Sequence, residues 1–329
     1  MKNLFIKLLL ATVFSTPFAL FAETCADAKG EKLSKNMPCS STDVASPLAL
    51  ARQKFSSQIS LPQPNPNPVP VPPAKVFQKL TYPSSVGNLT AYLSPDPEDG
   101  KKHPAIIWMT GGDSNSIGEL WQAKPRSNDQ TAAQYRQAGI IVMFPSLRGG
   151  NDNPGKKDAF YNEVQDILAA ADFLAKQSYV DANRIYLGGH STGGTLVLLT
   201  AEISNRFRAV FSFGPVDDVS YYGKNLLPVD FTKLDPRETS LRAPINWLSS
   251  VRSRVFVIEG QQGNISSLIE LKQKSTNPLI SFLAVNGASH FSVLAPSNEL
   301  IAKKILNDTG PKVQISLTEQ ELNAAHSGR

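Results

Sequence analysis

The sequence predicts an α/β fold, a mainly parallel sheet with helices on both faces. Three observations point there. Short, unbroken apolar runs recur along the chain, among them Ala105–Met109 (AIIWM), Ile140–Phe144 (IIVMF) and Val255–Ile258. Such runs suit strands buried on both faces. Amphipathic segments lie between them, the clearest being Tyr161–Gln177, where Val164, Ile167, Leu168, Ala171 and Leu174 recur on one face. Strands that alternate with helices in this way build parallel sheets covered on both sides.

Taken in order, Lys75–Tyr82 and Asn88–Leu93 read as two opening strands around a Pro-Ser-Ser-Val-Gly turn. Ala105–Met109 ends in Thr110-Gly111-Gly112. A modest helix, Asp129–Ala138, precedes the strand Ile140–Phe144. The stretch PSLRGGNDNPG that follows is a loop by composition. After the 161–177 helix come the short strand Arg184–Leu187, a glycine-rich turn and the helix Thr195–Ile203. Ala209–Phe213, Val255–Ile258 and Leu279–Val285 are further strands, and Val293–Leu306 is the last helix. Ligands of such sheets bind beyond the carboxyl ends of the strands. The loops after Met109, Phe144, Leu187, Phe213, Ile258 and Val285 therefore mark the expected site.

Composition narrows the function classes. The chain has 329 residues, 41% apolar and 19% charged, which supports a globular core. The formal charge is +5, and removal of Lys2 and Lys7 with a leader would leave about +3, a weak bias. No dense Lys/Arg block carries interleaved aromatics, so nucleic acid is not an expected partner. The four histidines are scattered and form no ligand cluster, so neither a metal nor an organic cofactor is implied.

The first 22 residues, MKNLFIKLLLATVFSTPFALFA, have the layout of a secretory signal peptide cleaved after Ala22. Their apolar stretch is interrupted by Ser15, Thr16 and Pro17 and is short for a membrane span. A periplasmic or secreted protein without a stable span is expected. Residues 23–61 read as a short N-terminal segment whose Cys25 and Cys39 suit a local disulfide in an exported chain. Residues 62–74 hold the run PQPNPNPVPVPP, read as a stiff extended linker. The main domain then covers 75–311, and 312–329 form a polar tail.

Gly189-His190-Ser191-Thr192-Gly193 matches the G-x-S-x-G turn, after a strand and before a helix. A strand that bends abruptly into a helix crowds the residues two before and two after the apex, and glycine tolerates that contact. The serine hydroxyl then stands clear at the positive end of the helix. A serine nucleophile needs a general base. His103 precedes Pro104 in a charged loop, His190 adjoins the serine and is expected to point elsewhere, and His326 is in the tail. His290 follows the strand 279–285, in the loop position that would deliver a base to Ser191. A carboxylate should hold that imidazole. Glu259 is the only carboxylate of the loop after Val255–Ile258, and Asp217 and Asp218 after Phe213 are its rivals. For a developing oxyanion, the backbone N–H of Thr192 and that of Gly112 are the candidate donors.

The order of these motifs resembles the α/β-hydrolases, and within them the catalytic domain of prolyl oligopeptidase-like serine hydrolases. The runs IIVMFPSLRGGND and YNEVQDILAAADFLAKQSYVDANRIYLGGHSTGG carry the likeness: an Arg-Gly loop, a Glu-Val-x-Asp helix and an Asp-x-x-Arg-Ile lead into the serine turn. The resemblance covers roughly residues 75–308. It implies an α/β-hydrolase fold and a Ser-Asp-His order, with Ser191 as nucleophile and His290 as base.

Two departures stand out. The family's acid sits in a His-Gly-x-x-Asp pattern; here Glu259 stands at the histidine position and Gly263 at the aspartate position. Fewer than 60 residues separate the leader from the main domain, so the large β-propeller of full-length prolyl oligopeptidases is not expected. With the leader, the serine turn, the downstream histidine and the glycine loop after Met109, the expected function is an exported serine hydrolase of ester or peptide/amide bonds, working through an acyl-enzyme, with a small-molecule ester or peptide as its partner. The alternative is a non-catalytic binding protein on the same fold that has lost its acid. Specificity is assigned to the loops 113–127 and 215–245, where Tyr221, Tyr222, Phe231 and Trp247 are read first as packing residues.

Overall fold

In the computed structural model of this chain, residues 45–61, 66–122 and 124–328 are described. The signal peptide and the Cys25/Cys39 pairing lie outside the described residues.

Among the described residues the strands are β1 (Gln78–Ser84), β2 (Gly87–Leu93), β3 (His103–Met109), β4 (Ile141–Pro145), β5 (Val180–His190), β6 (Ala209–Phe213), β7 (Arg254–Gly260) and β8 (Ile280–Val285). They form one sheet in the order β1-β2-β4-β3-β5-β6-β7-β8. β1 and β2 pair antiparallel, as do β2 and β4, and every later pairing is parallel. The α-helices among the described residues are α1 (Pro47–Gln53), α2 (Ala133–Gln137), α3 (Glu163–Leu174), α4 (Thr192–Ile203), α5 (Pro236–Ser240), α6 (Ile265–Lys274), α7 (Leu294–Asn307) and α8 (Glu319–Ser327).

The apolar runs split between two cores because successive strand residues point to opposite faces. On one face Ile107, Met143, Leu187, Val210 and Val257 pack with Val164 and Ile167 of α3 and Leu196 and Leu199 of α4. On the other, Trp108, Phe144, Tyr186, Phe211 and Phe256 pack with Tyr135 of α2 and Ile301 and Ile305 of α7. This is the expected α/β-hydrolase fold, a mainly parallel sheet sandwiched by helices.

The strands reach further than the apolar runs. β5 begins at Val180 and continues through Gly188 and Gly189 to His190, so the glycines belong to the strand up to the bend itself. Arg148, after β4, is tied to α3 by Asp166: the guanidinium meets both carboxylate oxygens at 2.7 and 2.8 Å, and the Arg148 N–H adds a third bond at 2.9 Å. Both side chains are almost fully buried. That bidentate pair explains why the Arg-Gly loop and the Glu-Val-x-Asp helix occur together in the sequence.

Three boundaries differ from the sequence reading. The compact unit starts at Ala45 rather than at residue 75. α1 inserts Leu48 into the core of the α3/α4 face. Within the proline-rich run, Val69 is buried and Pro70 accepts a bond from the Tyr92 hydroxyl at 2.8 Å, so this stretch lies along the domain instead of spacing it from a neighbour. The C-terminal residues form α8, opened by a Thr318/Glu321 capping box. Glu319 and Asn323 accept bonds from the backbone of Ala284 and Asn286 at the end of β8. Ile315, Leu317 and Leu322 are buried in the core of the α2/α7 face, and the polar composition around them concealed this docking. Among the described residues no helix is long and apolar enough to cross a membrane.

Candidate active site

Ser191 sits at the bend between β5 and α4 with φ 56° and ψ −117°, a region that side chains rarely occupy. The bend is tight because Gly189 and Gly193 nearly touch. A Cβ on Gly189 would stand 2.5 Å from the Gly193 carbonyl oxygen. The Ser191 N–H donates to the Phe213 carbonyl at the end of β6 (2.8 Å), and the Ser191 carbonyl accepts the first bond of α4, from Thr195 (2.9 Å). Ser191 itself is only half-buried. A strained, anchored backbone at a partly exposed serine is an arrangement that suits a nucleophile.

His290 arrives from the loop after β8. Its Nδ1 lies 2.8 Å from Glu259 Oε2. Glu259, at the end of β7, is fully buried, and its carboxylate also accepts the N–H of Gly260 (2.6 Å) and of Asn264 (2.9 Å). Both partners crowd Gly214, the residue after the one that anchors Ser191: a Cβ there would fall 2.6 Å from Glu259 Oε2 and 2.7 Å from His290 Nδ1. Serine, imidazole and carboxylate therefore converge where β5, β6 and β7 end. With Nδ1 donating to the carboxylate, the lone pair is left on Nε2.

The rival carboxylates are engaged elsewhere. Asp217 accepts the Ser267 hydroxyl at 2.6 Å, and Asp218 accepts the Ser220 N–H at 2.8 Å. Of the other histidines, His103 pairs with Asp99 at 3.0 Å and His326 lies in α8.

His190 is the residue whose part the sequence did not reveal. It points at the histidine loop rather than away from it. Its Nε2 donates to the His290 carbonyl at 2.9 Å, and the two rings lie 4.4 Å apart. Burial, reinforced by the neighbouring His290, pushes its pKa down to about 3. The ring is thus neutral near pH 7, with its proton on Nε2 and Nδ1 facing the Gln130 side chain at 3.3 Å. The only sequence clue is its place beside Ser191. The long-range partner, 100 residues away, is a product of the fold.

Thr192 and Gly112 are also brought together. The Thr192 hydroxyl donates to the Gly112 carbonyl at 2.9 Å. Gly112 has φ +74°, which only glycine adopts without strain. Thr192 opens α4, where first-turn N–H groups have no intrahelical acceptor.

A cavity of about 240 Å³ opens beside these two residues, walled by Phe160, Leu196, Tyr222 and Leu227 among others, with Glu163 also lining it. Tyr222 therefore faces a cavity, while Tyr221 is largely exposed. Burial and the neighbouring Asp158 push the Glu163 carboxyl well above the ordinary carboxylate range. Asp158 is held below it despite burial, by hydrogen bonds from Glu163 and Asn162. The two buried carboxyls are thus pushed in opposite directions, and the Asp158 N–H donates to Glu163 Oε1 at 2.9 Å.

Comparison with known proteins agrees with the fold and places the serine turn in a family. The Prolyl oligopeptidase family matches residues 126–262, which include Ser191 and Glu259. The chain is 34% identical to dipeptidyl-peptidase 5 of Porphyromonas gingivalis over 133 residues, 37% of this chain and 19% of that protein. It is 24% identical to the uncharacterized peptidase YtmA of Bacillus subtilis over 52% of this chain and 67% of that one. The crystal structure of Porphyromonas gingivalis dipeptidyl peptidase 4 superposes with a TM-score of 0.56 at 18% identity, over 70% of this chain and 35% of that one. The match thus spans about a fifth of the first relative and about a third of the solved structure. The eight-stranded sheet with a G-x-S-x-G bend at its strand ends has the α/β-hydrolase fold, and residues 126–262 within it match the Prolyl oligopeptidase family.

Proposed function

We propose that the protein is a serine hydrolase that cleaves an ester or a peptide/amide bond through an acyl-enzyme. Ser191 Oγ attacks the carbonyl carbon while His290 Nε2 takes its proton. Glu259 holds the imidazole in the tautomer that leaves Nε2 free and stabilises the imidazolium that forms. The N–H groups of Thr192 and Gly112 receive the developing oxyanion. His290 then protonates the leaving group. Water, activated by the same imidazole, releases the acyl group and regenerates Ser191.

The observation that carries this reading is the 2.8 Å contact between His290 Nδ1 and the buried Glu259 carboxylate. It offers an acid where the residue at position 263 has none, which supports turnover over a binding protein without it. The match to a peptidase family supports hydrolysis, and a cavity beside Gly112 and Thr192 supports a substrate group seated next to Ser191.

A fluorophosphonate probe tests the proposal. The unaltered protein should be labelled, and Ser191→Ala should not. Parallel assays with p-nitrophenyl butyrate and a dipeptidyl p-nitroanilide separate esterase from peptidase activity. An unaltered protein that neither labels nor turns over either substrate would overturn the reading. Export rests on residues 1–22 alone. Expressed in a Gram-negative host, the mature protein should start at Glu23 in the periplasmic fraction; a chain still starting at Met1 would contradict it.

A further inference from the structure

The cavity beside the serine bend is built partly by the segment that precedes the first strand. Leu61 lines it, and so do Ala159 and Phe160. Ala159 and Phe160 have φ +59° and +70°, two successive left-handed positions without glycine. Such a loop persists only where its surroundings over-determine it.

Here two buried arginines do so. Arg242, after α5, donates to the carbonyls of Asp158 (2.9 Å) and Ala159 (2.8 Å). Arg52, at the end of α1, donates to those of Phe160 (3.2 Å) and Tyr161 (2.5 Å). Four successive carbonyls are thus held by two guanidiniums, one of which belongs to the N-terminal segment. Each guanidinium lies 4.7 Å from the centre of the Tyr161 ring. The Tyr161 hydroxyl returns bonds to the carbonyls of Arg52 and Phe55, both at 2.9 Å.

Beyond α1 the segment stays attached. The Ser57 hydroxyl and the Gln58 N–H donate to Glu238, at 3.0 and 2.6 Å. The Leu61 N–H donates to the Lys157 carbonyl at 2.8 Å, a bridge that sets the Leu61 side chain at the cavity.

We propose that residues 46–61 are a working part of the substrate pocket: Leu61 sets how long an uncharged apolar acyl group the cavity accepts, and Arg52 is a positioning residue that holds Phe160 in its wall. The proposal rests on Ser191 being the nucleophile beside that cavity. An uncharged group fits because the walls are largely apolar, Lys157 is paired with Asp113, and burial beside Asp158 favours the neutral form of Glu163.

The test is acyl-chain preference, read as the ratio of kcat/KM for p-nitrophenyl octanoate to that for the acetate. The ratio cancels any general loss of active protein. Leu61→Ala should raise it roughly tenfold and Leu61→Trp should lower it roughly tenfold, the scale of a few methylenes in an apolar pocket. Arg52→Gln should raise KM for octanoate more than it changes kcat, and Arg52→Lys should not restore it, since one ammonium cannot span the carbonyls that a guanidinium reaches. Ratios equal to that of the unaltered protein in both Leu61 variants would overturn the proposal. A second measurement separates it from the hydrolase reading. Calorimetric affinity of the Ser191→Ala protein for octanoate over acetate should follow the same Leu61 dependence without any reaction at Ser191. If the unaltered protein fails to label with the fluorophosphonate yet this dependence holds, the hydrolase reading falls and the pocket assignment stands. If the dependence is absent, the pocket assignment falls.

Discussion

The carboxyl group of Glu259 occupies the space that a side chain on Gly263 would need. A Cβ added to Gly263 would lie 2.5 Å from Glu259 Oε1 and 2.6 Å from its Cδ. Position 263 is where the family pattern puts its aspartate. The carboxylate has reached much the same place from four residues earlier, on a side chain one methylene longer, and the glycine at 263 makes room for it. If the two positions address the same imidazole nitrogen, they should be exchangeable. Glu259→Gln should lower kcat on p-nitrophenyl butyrate about 10³- to 10⁴-fold with a small change in KM, as for loss of a triad acid. Glu259→Ala/Gly263→Asp should then regain at least roughly tenfold over Glu259→Ala alone, since even partial orientation of the base is worth that much. A double variant no faster than Glu259→Ala would show that the two positions are not equivalent.

Gly263→Ala tests the same crowding from the other side. The added methyl must displace a fully buried carboxylate that holds three N–H donors. Overpacking of this kind costs about 1–3 kcal/mol. Urea unfolding should report that loss, and kcat should fall with it as the imidazole loses its orienting contact. Unaltered stability together with unaltered kcat would mean that the carboxylate can relax freely.

Ser191 is held in a strained conformation, so removing its side chain should stabilise the fold while abolishing activity. A residue in such a region costs about 1–3 kcal/mol. Glycine accepts φ +56° but raises the entropy of the unfolded chain by about 0.4–1 kcal/mol. Ser191→Gly should therefore be inactive and about 1 kcal/mol more stable to urea. A Ser191→Gly protein less stable than the unaltered one would argue that the bend is relaxed as it stands.

His190 carries an acid-stability signature. Its folded pKa, about 3, is below the ordinary histidine value of about 6.5. Above pH 6.5 both folded and unfolded states hold the ring neutral, and its contribution to stability is complete. Between pH 6.5 and 3 the unfolded chain binds a proton that the folded chain refuses. Stability should thus fall on acidification through that window, by up to about 1.4 kcal/mol per pH unit from this group. Urea midpoints at pH 7.5, 6 and 5 should drop more steeply for the unaltered protein than for His190→Gln. Equal slopes would mean that the imidazole is not held neutral. Because His190 grips the His290 carbonyl, His190→Ala should also slow turnover about 10- to 100-fold through misplacement of the base.

Much of the fold could be read in advance because it follows local rules. AIIWM and IIVMF became β3 and β4 because runs this short and apolar have few other places to go in an α/β chain. The Val164, Ile167 and Leu174 stripe became the buried face of α3. Ser191 and His290 stood out as candidates from a motif and from the scarcity of histidines. Glu259 was only one of three carboxylates in suitable loops, and choosing it required knowing that Asp217 faces Ser267 and that Asp218 caps its own turn.

The amino-acid sequence by itself determined the periodicities, hence the strands and helices, and the strained G-x-S-x-G bend, since these depend on residues within a few positions of one another. Tertiary structure alone decided that Arg52 grips a loop more than 100 residues downstream, that His190 steadies His290, and that Glu259 fills the place kept open by Gly263. Those contacts are set by how the ends of separate strands are juxtaposed. Hydrogen bonds between residues that far apart leave no period in the chain: each depends on one distance and one angle that exist only once the sheet has formed.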